Sequence, residues 1–275
     1  MSHPHPSPGP SCHPSFDFTH AITRLPGQSA VNGLTMQHGG KPDVAQMQAD
    51  HAEYCQALQT AGVELTTLSA LENYPDAHFV EDTAFCLPEG AILMRPGAPS
   101  RQGEVEHMQA SLAPFYPDLK QIKGDSHIEG GDILVTAKEI LVGLSARTNQ
   151  AGIDALKSIV REWGYKLRQL VIPPNVLHFK SDCALLDEET ILSTPRLSAS
   201  GIFKDYRIIH TAEGEEAAAN CIRVNQYLIV PKHYPKTADR LVKAGYSLLW
   251  VNNRECEKID GGMSCLSLRF KKLNA

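Results

Sequence analysis

Residues 128–148 read IEGGDILVTAKEILVGLSART, and this stretch decides what kind of fold the chain can form. An acidic residue precedes a short apolar run, a polar turn follows, and a second apolar run leads into a loop that carries an arginine. Two short apolar runs joined by such a turn are typical of a β-hairpin. The stretch therefore predicts two paired strands with acidic side chains at the entrance of the first.

The same plan occurs twice more, as FVEDTAFCLPEGAILMRPGAPSR at 79–101 and FKSDCALLDEETILSTPRLSASG at 179–201. The aspartates of the three copies, Asp82, Asp132 and Asp182, are spaced by 50 residues each time. Self-similarity at a fixed period is the signature of a repeat architecture, in which each unit buries its apolar face against its neighbours.

A fourth copy, NCIRVNQYLIVPKHYPKT, lies at 220–237, and the segment 261–270, GGMSCLSLRF, supplies only the first strand of a fifth. The N-terminal segment 16–26, FDFTHAITRLP, is the natural completion of that last unit. Joining the two ends of the chain in this way closes a ring of five units and removes the free sheet edges.

Helices are predicted between the hairpins. Segments 41–62 and 148–164 carry apolar residues at helical spacing, and 237–246 shows a weaker version. Gly62, Gly164 and Gly245 stand where each helix should end. The predicted fold is α/β, a single-domain five-bladed α/β propeller with a pseudo-fivefold repeat over 17–275. The Pro-, Ser- and His-rich segment 1–16 is predicted to be a flexible tail.

Composition excludes several classes of partner. The net charge of −5 provides no basic field for nucleic acid and mildly favours a small cationic ligand. No apolar run is long enough for a membrane span, and the N-terminus does not resemble a secretory signal. The seven cysteines are odd in number, far apart and without a CxxC pair, which predicts a reducing cytoplasm rather than a disulfide framework or a zinc site. The sequence leaves a homodimer open.

The residues at the strand entrances should converge on the axis of the ring. Those residues include Glu129, His178 and, in the last unit, the lone thiol of Cys265. A set of carboxylates, an imidazole and a thiol is costly as an inert core but suits a catalytic site. A thiol needs a base or a nearby positive charge to react at neutral pH, and nearby carboxylates favour a cationic substrate. A guanidinium is planar and permanently charged, and its carbon can be attacked by a thiolate.

Several motifs, in order along most of the chain, resemble those of the dimethylarginine dimethylaminohydrolase family of the pentein superfamily. They are FVEDTAF, HIEGGDIL, GLSARTNQAG, LHFKSDC, NCI and DGGMSCLSL. The resemblance implies hydrolysis of N-omega-methylated arginine to citrulline and a methylamine, without a metal or another cofactor. It implies that Cys265 is the nucleophile, that His178 is the general acid and later the base, and that Glu129 pairs with His178.

The resemblance also implies a set of substrate-binding residues. Carboxylates would surround the guanidinium, an aromatic side chain would flank the methylated nitrogen, and two arginines would hold the α-carboxylate. An acidic residue near the nucleophile and a leucine of a lid loop, SAVNGLTMQHGGKP, would complete the set. In that order these residues are Asp76, Glu81 and Asp82, then Phe79, then Arg101 and Arg147, then Asp260, and finally Leu34.

Three alternatives remain open at this stage. An arginine or agmatine deiminase would use the same thiol attack and release ammonia, and an amidinotransferase would pass the amidino group to an amine. Both of these relatives usually carry insertions that this length does not accommodate. A non-catalytic ribosome anti-association factor of the same fold predicts no set of cysteine, histidine and acid.

Overall fold

The computed structural model describes residues 14–36, 39–174 and 176–272. Most of the predicted tail, residues 1–13, lies outside the described residues. Phe16, at the end of that predicted tail, already contacts the folded body, because its carbonyl accepts a hydrogen bond from the backbone N–H of Asn225. The boundary between tail and propeller otherwise stays a prediction.

The described residues form five small sheets of three strands each, as expected for the predicted propeller. The strands in chain order are β1 (His20–Arg24), β2 (Glu64–Leu68), β3 (Ala84–Leu87), β4 (Gly90–Leu93), β5 (Leu119–Gln121), β6 (Ile133–Val135), β7 (Ile140–Leu144), β8 (Leu167–Val171), β9 (Cys183–Leu185), β10 (Thr190–Ser193), β11 (Arg207–His210), β12 (Ile222–Val224), β13 (Tyr227–Pro231), β14 (Ser247–Val251) and β15 (Leu268–Phe270).

Every sheet has the same topology, so each is one blade. Its first two strands pair antiparallel, as predicted, and its third strand pairs parallel with the second. We number the blades β3–β5, β6–β8, β9–β11 and β12–β14 as the first to the fourth. The closing blade combines the last strand with the first two, in the order β15-β1-β2. The prediction that the two ends of the chain complete one unit is therefore confirmed, whereas the third strand of each blade was not predicted.

The parallel third strand requires a crossover, and a helix provides it in each blade. The helices are α1 (Val44–Thr60), α2 (Glu104–Leu112), α3 (Gln150–Glu162), α4 (Pro195–Ser198), α5 (Pro235–Lys243) and the short α6 (Arg254–Glu257), which follows β14. Among the described residues, no helix combines the length and the apolar character that a membrane crossing demands.

The glycines predicted to end three helices are confirmed, and a side chain also caps the start of α3. Asn149 caps the start of α3, where its side chain accepts a hydrogen bond from the N–H of Gly152. Just beyond the ends of α1, α3 and α5, Gly62, Gly164 and Gly245 have φ angles of 92°, 88° and 96°. Glycine is the residue that adopts this left-handed conformation without strain, so it ends a helix and turns the chain toward the next strand.

A 3₁₀ turn precedes the first strand of every blade, and these five turns surround the axis of the propeller. They are Val80–Thr83, Gly130–Asp132, Phe179–Ser181, Glu216–Ala219 and Ser264–Leu266. Oxygen atoms of one blade accept hydrogen bonds from backbone N–H groups of the next. Asp82 Oδ1 accepts from Gly131 at 2.9 Å, and Asn220 Oδ1 accepts from Ser264 at 2.9 Å. These bonds hold neighbouring turns in register, so residues far apart in sequence meet at the axis.

Candidate active site

A cavity of about 350 Å³ opens among these turns, next to the lid loop. All of the predicted site residues except Glu81 and Glu129 line it, and two apolar residues complete its wall. The lining consists of Leu34, Asp76, Phe79, Asp82, Arg101, Arg147, Leu177, His178, Ile259, Asp260 and Cys265. The thiol and the imidazole predicted from distant parts of the chain therefore share one cavity.

Cys265 lies in the 3₁₀ turn Ser264–Leu266, which replaces the strand start that the sequence predicts. Its side chain is partly buried, and the amide Nδ2 of Asn220 lies 4.0 Å from Sγ. Burial raises the pKa of the thiol to about 12, and the negative charges of Glu81 and Asp82 add to this rise. The resting side chain is therefore a neutral thiol at physiological pH, and a cation is needed nearby to stabilise its thiolate.

His178 and Glu129 form a buried hydrogen-bonded pair. His178 Nε2 lies 2.6 Å from Glu129 Oε2, while Glu129 Oε1 accepts a hydrogen bond from the N–H of Gly97 at 2.9 Å. Burial alone would lower the pKa of His178, but Asp82, Glu129 and Asp132 raise it to about 9. Burial alone would raise the pKa of Glu129, but the hydrogen bond and charge of His178 lower it to about 2. The pair is an imidazolium and a carboxylate at neutral pH.

Gly131, the second of the two glycines after Glu129, leaves room for the His178 ring. A Cβ atom at position 131 would lie 2.8 Å from Cγ of the His178 ring. Any side chain there would push the imidazole away from its carboxylate partner, since real Cβ atoms do not approach so closely. Gly131 therefore lets the turn Gly130–Asp132 pack directly against His178.

Arg101 has partners that the sequence did not predict. Its guanidinium is buried and donates from Nη1 to Asp82 Oδ2 at 2.6 Å, and from Nε and Nη2 to the two carboxylate oxygens of Glu104 at 3.1 and 2.9 Å. Nη2 also donates to the carbonyl oxygen of Phe79 at 2.8 Å. Internal acceptors thus occupy the guanidinium that the sequence assigned to the substrate α-carboxylate, and Arg101 orients Asp82 and the Phe79 backbone.

Arg147 is the more available of the two predicted arginines. Its side chain is 20% exposed and lines the cavity, and Nη1 lies 3.6 Å from Glu129 Oε1. This separation permits only a loose ion pair, so donors of the guanidinium remain free for a ligand carboxylate.

The structure places Glu81 outside the cavity. Its Oε1 accepts hydrogen bonds from Lys180 Nζ at 2.5 Å and from Arg269 Nη2 at 3.0 Å, and its Oε2 accepts one from Ser264 Oγ at 2.8 Å. The prediction that this carboxylate contacts the substrate guanidinium does not fit this geometry, because two resident cations already neutralise it. Through Ser264, Glu81 instead supports the turn that carries Cys265.

The lid loop is held over the cavity by two aspartates. The backbone N–H of Leu34 donates to Asp76 Oδ1 at 3.0 Å, and the N–H of Met36 donates to Asp260 Oδ2 at 2.6 Å. Burial raises the pKa of Asp76, although Arg101 and the N–H of Leu34 oppose this rise. Leu34 lies at the edge of the cavity, 38% exposed. Both predicted acidic contacts therefore also position the lid.

Phe79 is buried and faces the cavity as an apolar wall. A Cβ at Gly261 would lie 2.4 Å from its ring, so the glycine after Asp260 leaves room for the aromatic side chain. Contact of Phe79 with a methylated nitrogen stays a prediction.

Ligand atoms of Asp82, Glu129 and His178 lie within 4.8 Å of one another, a spacing that a metal ion could bridge. These atoms are already engaged, since Asp82 accepts from Arg101 and Gly131, and Glu129 accepts from His178. An imidazolium offers no lone pair to a metal ion. The donor set therefore fits proton transfer and cation binding better than metal binding.

Sequence reasoning assigned no role in the site to three supporting residues. Asn220 stands at the same repeat position as the predicted acids, so the repeat places it at the axis although its residue type gave it no role. Lys180, two residues after His178, offered no pattern of its own. Tyr54 read only as a core residue of α1, yet its hydroxyl donates to the carbonyl of Met263 at 2.8 Å, beside the turn of Cys265.

Comparison with known proteins agrees with this geometry. The sequence model of the arginine deiminase family matches residues 69–230. The N(G),N(G)-dimethylarginine dimethylaminohydrolase of Pseudomonas aeruginosa is 40% identical over 254 residues, which cover 92% of this chain and 100% of that protein.

Two solved structures extend the comparison. A mutant of the Pseudomonas aeruginosa enzyme with serine in place of a cysteine, complexed with citrulline, matches with a TM-score of 0.90 and 39% identity, over 93% of this chain and 100% of that one. The N-terminal domain of a cyanobacterial arginine dihydrolase, bound to its product, matches with a TM-score of 0.83 and 18% identity, over 92% of this chain and 97% of that one. The second likeness supports the fold alone.

A five-bladed α/β propeller with a thiol, an imidazolium and carboxylates at its axis defines a pentein of the guanidino-modifying class. Within that class, the chain belongs to the dimethylarginine dimethylaminohydrolase family. The resemblance inferred from the sequence motifs is thereby confirmed.

Proposed function

We propose that this protein hydrolyses asymmetric dimethylarginine and N-omega-monomethylarginine to citrulline, with release of dimethylamine or methylamine. The observation that carries the proposal is the shared cavity of Cys265 and His178, with Glu129 bonded to the imidazole at 2.6 Å. This set provides a nucleophile, a proton donor and a group that holds the donor charged.

Binding begins with charge. The guanidinium enters a cavity that contains Asp82, and its positive charge offsets the carboxylates that raise the pKa of the thiol. Cys265 can then release its proton to solvent and attack the guanidinium carbon as a thiolate. Arg147 is the proposed partner of the substrate α-carboxylate, with Asp76, Asp260 and the Leu34 loop closing over the other end.

The covalent steps balance with the residues present. As the C–S bond forms and the C–N bond breaks, the His178 imidazolium transfers a proton to the departing amine. The neutral imidazole then accepts a proton from water, whose oxygen attacks the thiouronium carbon. The C–S bond breaks as the hydroxyl proton of this intermediate passes to solvent, and the ureido group of citrulline and the Cys265 thiolate are released.

The alternatives of the same fold differ in the leaving group or the acceptor. A deiminase would release ammonia from an unmethylated guanidinium, and an amidinotransferase would transfer the amidino group to an amine. The Cys265, His178 and Glu129 set has no role in an anti-association factor, so this reading is the least supported. A cytoplasmic location, favoured by the unpaired cysteines among the described residues, stays a proposal. A homodimer also stays a prediction.

The test is a substrate panel. The protein is incubated separately with asymmetric dimethylarginine, monomethylarginine, arginine and agmatine, and ureido products and released amines are quantified by mass spectrometry. A parallel reaction contains glycine as an amidino acceptor. We expect citrulline with dimethylamine or methylamine from the methylated substrates. Faster turnover of arginine or agmatine, or transfer to glycine, would refute the proposal.

A further inference from the structure

A second concave surface adjoins the catalytic cavity on the side of the third and fourth blades. This groove has a volume of about 1170 Å³ and shares Leu177 and Asp260 with the catalytic cavity. Asn220, whose amide lies 4.0 Å from the Cys265 sulfur, also lines the groove. The groove therefore lies directly beside the position of a leaving group that departs from a carbon bonded to Cys265 Sγ.

The groove is acidic. Asp182 is neutralised by Arg196, which donates to both of its carboxylate oxygens at 2.5 and 2.6 Å. Three further carboxylates line the groove, and none of their side chains forms an ion pair with a residue that the structure describes. They are Glu216, Glu257 and Asp260. A cation in the groove would therefore experience a net attraction.

One buried acceptor atom in the groove has no donor among the described residues. The Asn253 side chain is buried, with 2% of the residue exposed, and its Oδ1 accepts no hydrogen bond. Glu257 Oε2 accepts from the Tyr234 hydroxyl at 3.0 Å, and burial raises the pKa of Glu257, although hydrogen bonds with Tyr234 and the Asn253 side chain oppose this rise. Because a buried acceptor without a partner is unfavourable, Asn253 Oδ1 favours a ligand that donates hydrogen bonds.

We propose that this groove, which Asn253 and Glu257 line, binds the alkylammonium that forms from the released amine. The inference rests on the proposed function, which supplies that ligand. The departing amine takes one proton from His178 and leaves as a neutral alkylamine. It takes up a second proton from solvent, because an alkylamine is protonated at neutral pH. It is then a cation with N–H donors and small methyl groups, which matches the unpaired acceptor of Asn253, a carboxylate charge and the apolar edge of Leu177. Protonation in the groove removes the nitrogen lone pair, so the amine no longer attacks the thiouronium carbon in the reverse direction.

The experiment uses dimethylammonium chloride as the probe and needs no turnover. Its binding to the whole protein is measured by saturation-transfer NMR on the methyl signal. We expect Glu257→Gln to weaken binding by about fivefold or more, because it removes the charge while keeping the shape. Asn253→Ala should weaken it as well. Glu213→Gln is the matched control, since Glu213 is an exposed carboxylate that does not line the groove.

Thermal unfolding of each variant shows whether the fold is kept. If a substitution unfolds the protein, Glu216→Gln on the exposed side of the groove replaces it, with the same expected direction. Equal binding by wild type, Glu257→Gln and Glu213→Gln would overturn the inference while leaving a measured hydrolase activity intact. Binding that depends on Glu257 in a protein that makes no citrulline would refute the proposed function and keep the cation site.

Discussion

The hydroxyl of Tyr54 lies between the two ends of the catalytic turn, donating to the carbonyl of Met263 at 2.8 Å and lying 2.6 Å from the Ser267 hydroxyl. Tyr54 belongs to α1 of the closing blade, and Met263 and Ser267 flank Cys265. One buried side chain of a helix thus fixes the turn that presents the nucleophile.

Replacing Tyr54 with phenylalanine should loosen this turn without emptying the core. We expect Tyr54→Phe to lower the free energy of unfolding by about 1 kcal/mol, since one buried hydrogen-bonding group is removed and the ring is kept. Because the thiol loses its fixed position, kcat should fall more than KM rises. Urea unfolding and steady-state kinetics measure the two effects, and an unchanged kcat would show that the turn is rigid without Tyr54.

Cys265→Ser should abolish turnover, with a fall of at least about 10³-fold, because a serine hydroxyl is a far weaker nucleophile without a strong base. Its melting temperature should stay close to that of wild type, as the substitution is nearly isosteric. Cys55→Ser, a change at another partly buried cysteine that lies in α1, is the control and should keep activity. Citrulline formation by Cys265→Ser at the wild-type rate would remove this residue as nucleophile.

The charge of His178 should set the alkaline limit of activity. Its pKa of about 9 predicts a fall in kcat/KM near that pH, as the general acid loses its proton. Glu129→Gln should move this limb to lower pH by about one unit, since one of the carboxylates that raise the pKa is removed. The dependence of kcat/KM on pH is measured for both proteins. If the fall at high pH occurs at the same pH in both, Glu129 does not set the pKa of His178.

The same pair should also make stability depend on pH. The folded pKa of His178 lies above its ordinary value of 6.5, so its contribution to stability is full below that value and is lost as pH rises through about 9. The folded pKa of Glu129 lies below its ordinary 4.5, so its contribution is lost as pH falls through about 2. Between pH 6.5 and about pH 9, the free energy of unfolding of wild type should therefore fall more than that of His178→Asn. Urea unfolding at several pH values in this range measures the difference.

The two arginines of the site should respond differently to substitution. Arg147→Lys should raise KM by about tenfold with little change in kcat, because an ammonium cannot bind a carboxylate in a bidentate manner. Arg101→Met should lower the free energy of unfolding by about 3–5 kcal/mol, since Asp82 and Glu104 lose their buried counter-charge. Kinetics and chemical denaturation are measured on both. A stable Arg101→Met enzyme with only a raised KM would restore Arg101 as a carboxylate ligand.

Asp260 should control the lid. Its φ angle of 60° suits glycine, so Asp260→Gly removes the carboxylate that holds Met36 without straining the backbone. We expect KM to rise by about tenfold and limited proteolysis of the lid loop to become faster. Asp260→Asn keeps an acceptor and the same backbone preference, so it should restore much of the affinity. Equal KM values in all three proteins would exclude this role.

Local sequence patterns were sufficient for the repeating parts of the fold. The hairpins around 128–148, the glycines that end α1, α3 and α5, and the joining of the two chain ends follow from short-range periodicity and turn chemistry. The third strands could not be predicted in this way. They are edge strands whose residues are mostly partly or fully exposed, as in the Leu167–Val171 strand, so they carry no clear apolar alternation.

The residue types and motif order also determined that Cys265, His178 and Glu129 belong to one site, because closing a ring brings strand entrances together. Tertiary structure alone decided which charged groups serve a ligand and which serve each other. Glu81 faces Lys180 and Arg269, which belong to other blades, whereas Arg101 faces Asp82 and Glu104 of its own blade. The physical reason is that a buried charge takes whichever counter-charge lies nearest in space, and no local pattern of residues encodes that distance.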